Sequence, residues 1–316
     1  RGAGGFCVRV AAEPLVSIGL PVRNGDRYIG EAVRSVLDQH DDRLELVISD
    51  NASSDGTEEI CRQFARSDPR VRYHREQQNI GLVPNFNGVL HLARGTYFKW
   101  IGDDDRLEPT YVSRCVEVLE DDAALILVTT QQAHIDPDGT VESADYDGTP
   151  MRSARPVERF TEMLRLLTES YLLLDPLYGM MRRDPVSRLP RPVMLFEDQI
   201  LAARLALAGP FGHVREIHSY RRFKPFQRLP ATARQLGVPA WQAQAATTLQ
   251  CRELLAAVRE ADLTPDERRE ANAAIARLFV RRKRVTATRR SRKLADLVSH
   301  AVARPPRLAS TLAKGR

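Results

Sequence analysis

Cysteine is scarce. Cys7, Cys61, Cys115 and Cys251 are the only thiols in 316 residues, and their wide spacing matches no metal-ligand pattern, which points to a reduced, cytosolic protein with buried thiols. Long apolar runs are missing too: none approaches the roughly 18 to 20 residues that a membrane-spanning helix needs. The opening Arg1-Gly2-Ala3-Gly4-Gly5 leads into no apolar stretch, so no secretory leader is expected. A glycine-rich phosphate loop is also lacking. Pro21-Val22-Arg23-Asn24-Gly25 does not supply the one that a sugar-nucleotide-forming nucleotidyltransferase would carry after its first strand. Gly2-Ala3-Gly4 neither follows a strand nor reaches a third glycine, which argues against a Rossmann dehydrogenase.

What is present is an ordinary globular composition, with 43% hydrophobic and 28% charged residues, which argues against wholesale disorder and allows one large or two modest domains. Charge is unevenly spread. From Arg277 to Arg316 thirteen Lys or Arg face one acid, Asp296, a local +12 in a chain whose total is +6; residues 1–276 therefore carry 34 basic and 40 acidic groups. The pI of 9.3 describes a tail, not the body.

The body reads as alternating strands and helices. Leu15–Leu20 forms an apolar run stopped by Pro21, and Asp26 is placed to cap a helix in which Ile29, Ala32, Val33, Val36 and Leu37 recur at helical spacing. Leu44–Ile48 is the next strand, so the first strand, helix and second strand make a right-handed βαβ unit. Ser49–Thr57 is a polar loop before a helix carrying Ile60 and Phe64. Val71–His74 is a third strand, and a helix through Val89, Leu90 and Leu92 ends near Gly95. Pro109 opens another helix, Leu125–Val128 is a further strand, and His134–Val141 has hairpin punctuation, so a mixed sheet is expected.

Within this pattern, Tyr97-Phe98-Lys99-Trp100-Ile101-Gly102 runs straight into Asp103-Asp104-Asp105. Adjacent carboxylates at a strand's carboxyl end repel one another unless a cation shares the site. Mg2+ or Mn2+, held by one or two carboxylates with water and substrate phosphate, suits such oxygen donors. A solvated acidic turn is the plain alternative.

The order of motifs then resembles a family 2 glycosyltransferase of the GT-A fold over the first 225 or so residues. The likeness rests on Pro14-Leu15-Val16-Ser17-Ile18 with Pro21 and Asn24, the Asp50 loop ending Asp55-Gly56-Thr57, Asn79-x-Gly81, and Asn87 followed by Ala93-x-Gly95-x-Tyr97. It continues through Asp103-Asp104-Asp105, Leu107-Glu108-Pro109, Glu197-Asp198, Arg204, Gly209 and Tyr220-Arg221. The fold implied is α/β, a mixed nucleotide-binding sheet flanked by helices. The boundaries are a tail over 1–13, the GT-A domain over 14–228, and a basic helical extension over 229–316.

The resemblance implies inverting transfer of a sugar from a nucleotide diphosphate donor to a hydroxyl, in cell-envelope glycan or glycolipid synthesis. Pro21, Arg23, Asp50, Arg75, Asn87 and Asp103 would contact the donor, with Asp50 accepting a hydrogen bond from the base. Asp104, with Asp105 beside it, would hold the metal, while Gly102 stands where many members have the first Asp of an Asp-x-Asp pattern. UDP is placed ahead of GDP or dTDP. Asp198 would be the general base, kept ionised by its helix dipole, with Glu197 the next candidate. Helix-start acids are the plain alternative for both.

Arg221 and Arg222 are read as diphosphate contacts or a solvated strand end, His213 and His218 as structural, and Lys224–Arg228 as a loop that closes over the donor. Beyond Leu229, helices are expected over Trp241–Val258, Pro265–Arg282 and Lys293–Ala303, Thr264 capping the second. Arg281-Arg282-Lys283-Arg284 and Arg289-Arg290-Ser291-Arg292-Lys293 precede an apolar face of Leu294, Leu297, Val298, Ala301 and Val302. The expected partner is an anionic membrane surface at the inner face of the cell membrane, where a lipid-linked or glycan acceptor is met. The alternatives are packing in a homodimer or solvation, with nucleic-acid binding ranked below them.

Overall fold

The computed structural model describes residues 14–136, 139–169, 173–222 and 228–302. Its first half winds β1 (Val16–Val22), α1 (Ile29–Leu37), β2 (Leu44–Asp50), α2 (Thr57–Ser67), β3 (Val71–Arg75), α3 (Leu82–Leu92) and β4 (Tyr97–Trp100). β5 (Arg106–Leu107), α4 (Tyr111–Asp121), β6 (Leu127–Ile135) and β7 (Val141–Ser143) follow. Every residue of β1, β2 and β4 is buried. Strands covered on both faces by crossover helices read as continuous apolar runs, which is how they appear in the sequence.

The second half places α5 (Pro156–Glu169), β8 (Met180–Arg182), α6 (Arg183–Ser187), α7 (Glu197–Ala208) and β9 (Phe211–Arg222) before α8 (Leu229–Gln235), α9 (Gln242–Glu260) and α10 (Pro265–Val302). One nine-stranded sheet runs β3-β2-β1-β4-β8-β6-β9-β5, with β7 pairing off β6. Pairing is parallel from β3 to β4, antiparallel on both sides of β8, parallel between β6 and β9, and antiparallel between β9 and β5. The expected mixed sheet is present. β6 and β7 pair as a hairpin, although Pro137 and Asp138 at its tip lie outside the described residues.

Several expectations are corrected. Pro21 lies inside β1 rather than ending it: β4 pairs with β1 only as far as Gly19, so a proline beyond that point interrupts no ladder on that side. Asp26 does not cap α1, whose preceding residue is Tyr28; the Asp26 N–H instead donates to Asp55 Oδ2 at 3.2 Å. Pro109 stands two residues ahead of α4, behind Thr110. The two helices expected over 265–303 are one helix of 38 residues. Thr264 does cap it, in a reciprocal box: Thr264 Oγ1 accepts from Glu267 N–H at 3.2 Å, and Glu267 Oε2 accepts from Thr264 N–H at 3.1 Å.

The helices after residue 229 share a core with the body. Val157, Phe160 and Leu164 of α5 and Ala203 and Leu207 of α7 pack against Leu254 and Val258 of α9 and Ile275 and Leu278 of α10. Arg204 Nη1 also bridges α7 to Glu260 Oε2 of α9 at 2.6 Å. Cys61, Cys115 and Cys251 are buried free thiols, pushed up from their ordinary pKa by burial. Among the described residues no helix is long and apolar enough to cross a membrane.

Candidate active site

A cleft of about 690 Å3 opens at the carboxyl ends of β1 and β4, where open α/β sheets bind ligands. One wall is the end of β1, with Pro21, and the turn after it, with Arg23 and Asn24, together with Asn51, Asn79 and Asn85. The floor is Gly102 to Asp105. The facing wall carries Asp175, Tyr178, Asp198, Gln199, Arg221 and Arg222. Backbone strain gathers here. Among the described residues, the three non-glycine residues with positive φ are Asn24 (56°), Ala52 (54°) and Phe196 (64°). Asn24 lines the cleft, Ala52 follows a residue that does, and Phe196 lies two before Asp198, so strain is concentrated at the rim.

The acidic turn is packed against the first wall. A Cβ on Gly25 would come within 2.5 Å of Asp103 Oδ2, so only glycine lets the β1 turn approach this closely. Asp103 and Asp104 line the cleft. Asp105 lines it from beneath and is buried: its Oδ2 accepts from Gly102 N–H at 3.1 Å and lies 3.7 Å from Arg221 Nε. Burial raises its pKa, against the pull of Arg221. A Cβ on Gly102 would stand 2.8 Å from that oxygen, which explains why this chain has glycine there. Among the described residues no three His, Cys, Asp or Glu side chains converge on a metal position. A hard cation here would draw one or two carboxylates from this turn and its remaining oxygens from water and a phosphorylated ligand, and the donor set fits that chemistry.

Of the residues expected to hold the donor, Pro21, Arg23 and Asp103 face the cleft. Asp50, Arg75 and Asn87 are not brought to its surface. Asp50 is fully buried and accepts from Tyr73 Oη at 2.7 Å, Ser53 N–H at 2.8 Å and Arg75 Nη1 at 3.4 Å. It organises the loop that presents Asn51. Arg75 also pairs with Glu58 at 2.9 Å. Asn87 sits on α3, where its main-chain oxygen bonds His91 Nδ1 at 2.6 Å. Asn85, two positions earlier, lines the cleft and is anchored by Ser49 Oγ at 2.6 Å.

On the opposite wall, Asp198 and Glu197 part company. Glu197 is sealed in a pair with Arg191, Oε2 to Nε at 2.5 Å and Oε1 to Nη2 at 3.2 Å. Asp198 is exposed on the cleft, yet desolvation by the protein crowded around it and the adjacent Glu197 push its pKa up to about 6. The Gln199 backbone N–H at the helix start pulls the other way, in the direction expected of the helix dipole, and with a pKa of about 6 the carboxylate is still largely ionised at neutral pH. A carboxylate with a pKa near 6 is better matched to proton abstraction near neutral pH than one near 4.

Arg221 is committed to protein groups. Its Nη1 donates to Asp175 Oδ2, and its guanidinium lies 3.7 Å from the Tyr178 ring centroid. Burial opposes its charge, but Tyr178, Asp175 and Asp105 prevail and hold it firmly protonated. Arg222 donates to Glu31 Oε2 at 2.7 Å and covers the Tyr28 ring. Below the floor, Lys99 is buried: Nζ donates to the Tyr178 carbonyl and sits 4.5 Å from the Tyr111 ring centroid. Burial depresses its pKa to about 8. The loop expected to close over the donor falls largely on 223–227, outside the described residues.

The sequence profile of Glycosyl transferase family 2 matches residues 17–189, more than half of the chain. The chain belongs to this family. Its similar relatives include the chondroitin synthase of Escherichia coli, 37% identical over 134 residues, or 42% of this chain and 19% of that protein. The chain thus spans about a fifth of that relative's length. A putative teichuronic acid biosynthesis glycosyltransferase, TuaG of Bacillus subtilis, is 33% identical over 107 residues, covering 34% of this chain and 42% of that one.

Among solved structures, S. aureus TarS 1–349 in complex with UDP matches with a TM-score of 0.60 at 15% identity, over 83% of this chain and 70% of that one. The mannosyltransferase PcManGT of Pyrobaculum calidifontis, in complex with GDP-Man and Mn2+, gives 0.52 at 17% identity, over 93% and 82%. The family 2 sheet is therefore the GT-A fold anticipated from the sequence.

Proposed function

We propose that this family 2 enzyme transfers a sugar from a nucleoside diphosphate to an acceptor hydroxyl with inversion at the anomeric carbon. The observation that carries this reading is one cleft with an acidic turn on its floor and a single cleft-facing carboxylate with a raised pKa, Asp198, on the facing wall. The strained turn at Asn24, with Pro21, Arg23 and the asparagine cluster, receives the nucleoside. Asp104, with Asp103 and Asp105 beside it, would hold Mg2+ or Mn2+. Such a cation stabilises the charge that grows on the leaving group, by several kcal/mol in metal catalysis generally. Asp198 takes the proton from the acceptor hydroxyl as it attacks the face opposite the diphosphate, and Glu197 keeps that helix start in place.

The acceptor is a growing glycan or a lipid-linked sugar of the cell envelope, in keeping with the polymers named for two relatives. The basic run Arg289-Arg290-Ser291-Arg292-Lys293, beyond the part of α10 that packs on the body, brings the enzyme to an anionic membrane face. UDP is the first candidate among donors, as in the TarS complex, with GDP and dTDP as alternatives.

A thermal-shift screen of UDP-, GDP- and dTDP-sugars, with and without Mn2+, tests the donor reading. A ligand that binds the folded state raises its stability by an amount set by concentration over Kd. One nucleotide is expected to stand out, and only with the metal. A flat response to all three overturns the donor assignment, and an equal shift without Mn2+ overturns the metal.

A further inference from the structure

Three side chains from three helices meet behind Asp198. Arg282 of α10 donates through Nη2 to Gln199 Oε1 at 2.7 Å and through Nη1 to Gln250 Oε1 at 2.6 Å. Gln250 of α9, fully buried, donates from Nε2 to the same Gln199 oxygen at 2.9 Å. A guanidinium only donates, so it settles which end of each amide faces it. Both amide oxygens point to Arg282. Gln199 Oε1 is thereby engaged twice, and its Nε2 is left for the cleft that Gln199 lines. Among the described residues no hydrogen bond is made by that nitrogen to a protein group.

The same guanidinium lies 4.7 Å from the Phe196 ring centroid, at the left-handed residue that leads into α7. Arg282 therefore touches the residues on both sides of the Glu197-Asp198 pair. Arg191 holds Glu197 from the other direction. Every immediate neighbour of Asp198 in the chain is fixed by a guanidinium, and one of those guanidiniums belongs to the C-terminal helix.

We propose that Gln199 recognises the acceptor, its Nε2 donating to a hydroxyl oxygen of the acceptor sugar next to the attacking one, and that Arg282 is the positioning residue through which α10 aims that donor. The proposal rests on Asp198 marking the acceptor side of the cleft. It makes the C-terminal extension a working part of the site. An acceptor hydroxyl beside the reacting one is then selected, because its absence leaves a cleft N–H unpaired.

The test uses the full chain with three variants. Gln199→Glu keeps the oxygen to which Arg282 and Gln250 donate, but exchanges the amide N–H donors for a second acceptor oxygen and a negative charge. Arg282→Lys keeps the charge and loses the fork that reaches both amides. Asp198→Asn is run alongside. Acceptors are p-nitrophenyl β-glycosides of glucose, galactose, glucuronic acid and the N-acetylhexosamines, with UDP-, GDP- and dTDP-sugars as donors.

Gln199→Glu and Arg282→Lys are each expected to raise acceptor KM about tenfold, the scale of one neutral hydrogen bond, with donor Kd within error of wild type; Tm holds in Gln199→Glu and falls in Arg282→Lys, which strips the buried Gln250 Oε1 of its donor. In 1H–15N spectra the Gln199 side-chain amide pair, identified by its loss in Gln199→Glu, is expected to shift on adding the glycosides to wild type and to stay put in Arg282→Lys. Acceptor KM within twofold of wild type in Gln199→Glu, or an amide pair that no glycoside shifts, overturns the proposal. Equal losses in donor affinity, acceptor KM and Tm also overturn it, since they report a packing role alone. Undiminished transfer by Asp198→Asn with raised acceptor KM in Gln199→Glu would remove the base and leave Gln199 in its role, so the two readings fail separately.

Discussion

Arg191 grips Glu197 with two nitrogens, at 2.5 and 3.2 Å, and the two side chains are only 4% and 7% exposed. The guanidinium also lies 5.0 Å from the Phe86 ring centroid and 5.4 Å from that of Trp100, so the pair ties the start of α7 to the aromatic packing of α3 and β4. A carboxylate so enclosed holds structure together. Removing one partner of a buried ion pair strands the other charge and costs about 3 to 5 kcal/mol. Glu197→Gln is expected to lower unfolding free energy by that order in a urea titration. Unchanged stability would return Glu197 to the list of candidate bases.

Asp198→Asn keeps the shape and loses the base. Sugar transfer is expected to slow at least ~100-fold with donor affinity retained. In the wild type, the pKa near 6 puts the acid limb of kcat/KM at about pH 6, with activity falling as pH drops through it. A profile flat to pH 5 would place the base elsewhere. The sign for stability is opposite. A carboxyl pKa raised on folding contributes stability at low pH that is lost as pH rises through 6. Thermal melts from pH 5 to 7.5 should therefore show the wild type losing ground to Asp198→Asn.

Asp104→Ala is expected to abolish the Mn2+-dependent part of donor binding while stability without ligand stays within ordinary surface-mutation scatter, ~0.5 kcal/mol. Calorimetric titration with the best nucleotide, with and without metal, measures it. Unaltered Mn2+ dependence would move the metal to Asp103 or Asp105.

Lys99 gives a pH signature of the cleft floor. Its folded pKa of about 8 lies below the ordinary 10.5. Between these values the unfolded chain holds a proton that the folded one has released, so stability rises with pH in that window. Relative to Lys99→Met, the wild type should gain on the order of 3 kcal/mol between pH 7 and pH 10.5, because each pH unit separating the two pKa values contributes about 1.4 kcal/mol. A constant difference between the two proteins would show that Lys99 is hydrated.

The basic tail is tested by vesicle co-sedimentation. Leu278 belongs to the core and Arg282 to the cleft network, so the truncation that isolates the tail ends at Val285. The full chain is expected to bind anionic vesicles at low salt and lose them at high salt, and the truncated chain to bind several-fold less. Equal sedimentation ends the membrane reading. A smaller particle on truncation, by light scattering, would favour a dimer through α10 instead.

Much of the fold can be read from residue order because the parallel strands are buried on both faces. Val16–Leu20 and Leu44–Ile48 need no alternation to be seen. β9 is only half visible: Val214–Ile217 carries the signal, while Gly212, His213 and Arg221 at its flanks do not look like strand. β5 is two residues long and exists only because β9 pairs with it. The single long α10 looks like two helices in the sequence because its basic run has no apolar spacing to follow.

The site divides in the same way. Asp103–Asp105 and Asp198 stand out as clustered acids after apolar stretches. Asp175, Tyr178, Asn85 and Gln199 carry no local signal. Asp175 and Tyr178 reach the cleft in the turn between α5 and β8, Asn85 on a helix whose apolar pattern hides it, and Gln199 through contacts with α9 and α10.

The order of the strands has a consequence for how the molecule is made. β6 finds its main partner in β9, which lies beyond the segment that the family profile matches. Until residues 211–222 have left the ribosome, a nine-residue strand waits with an open hydrogen-bonding edge, a template for pairing with other chains. The nascent protein is thus exposed between the synthesis of β6 and that of β9, and holdase-type chaperones have their natural point of action there.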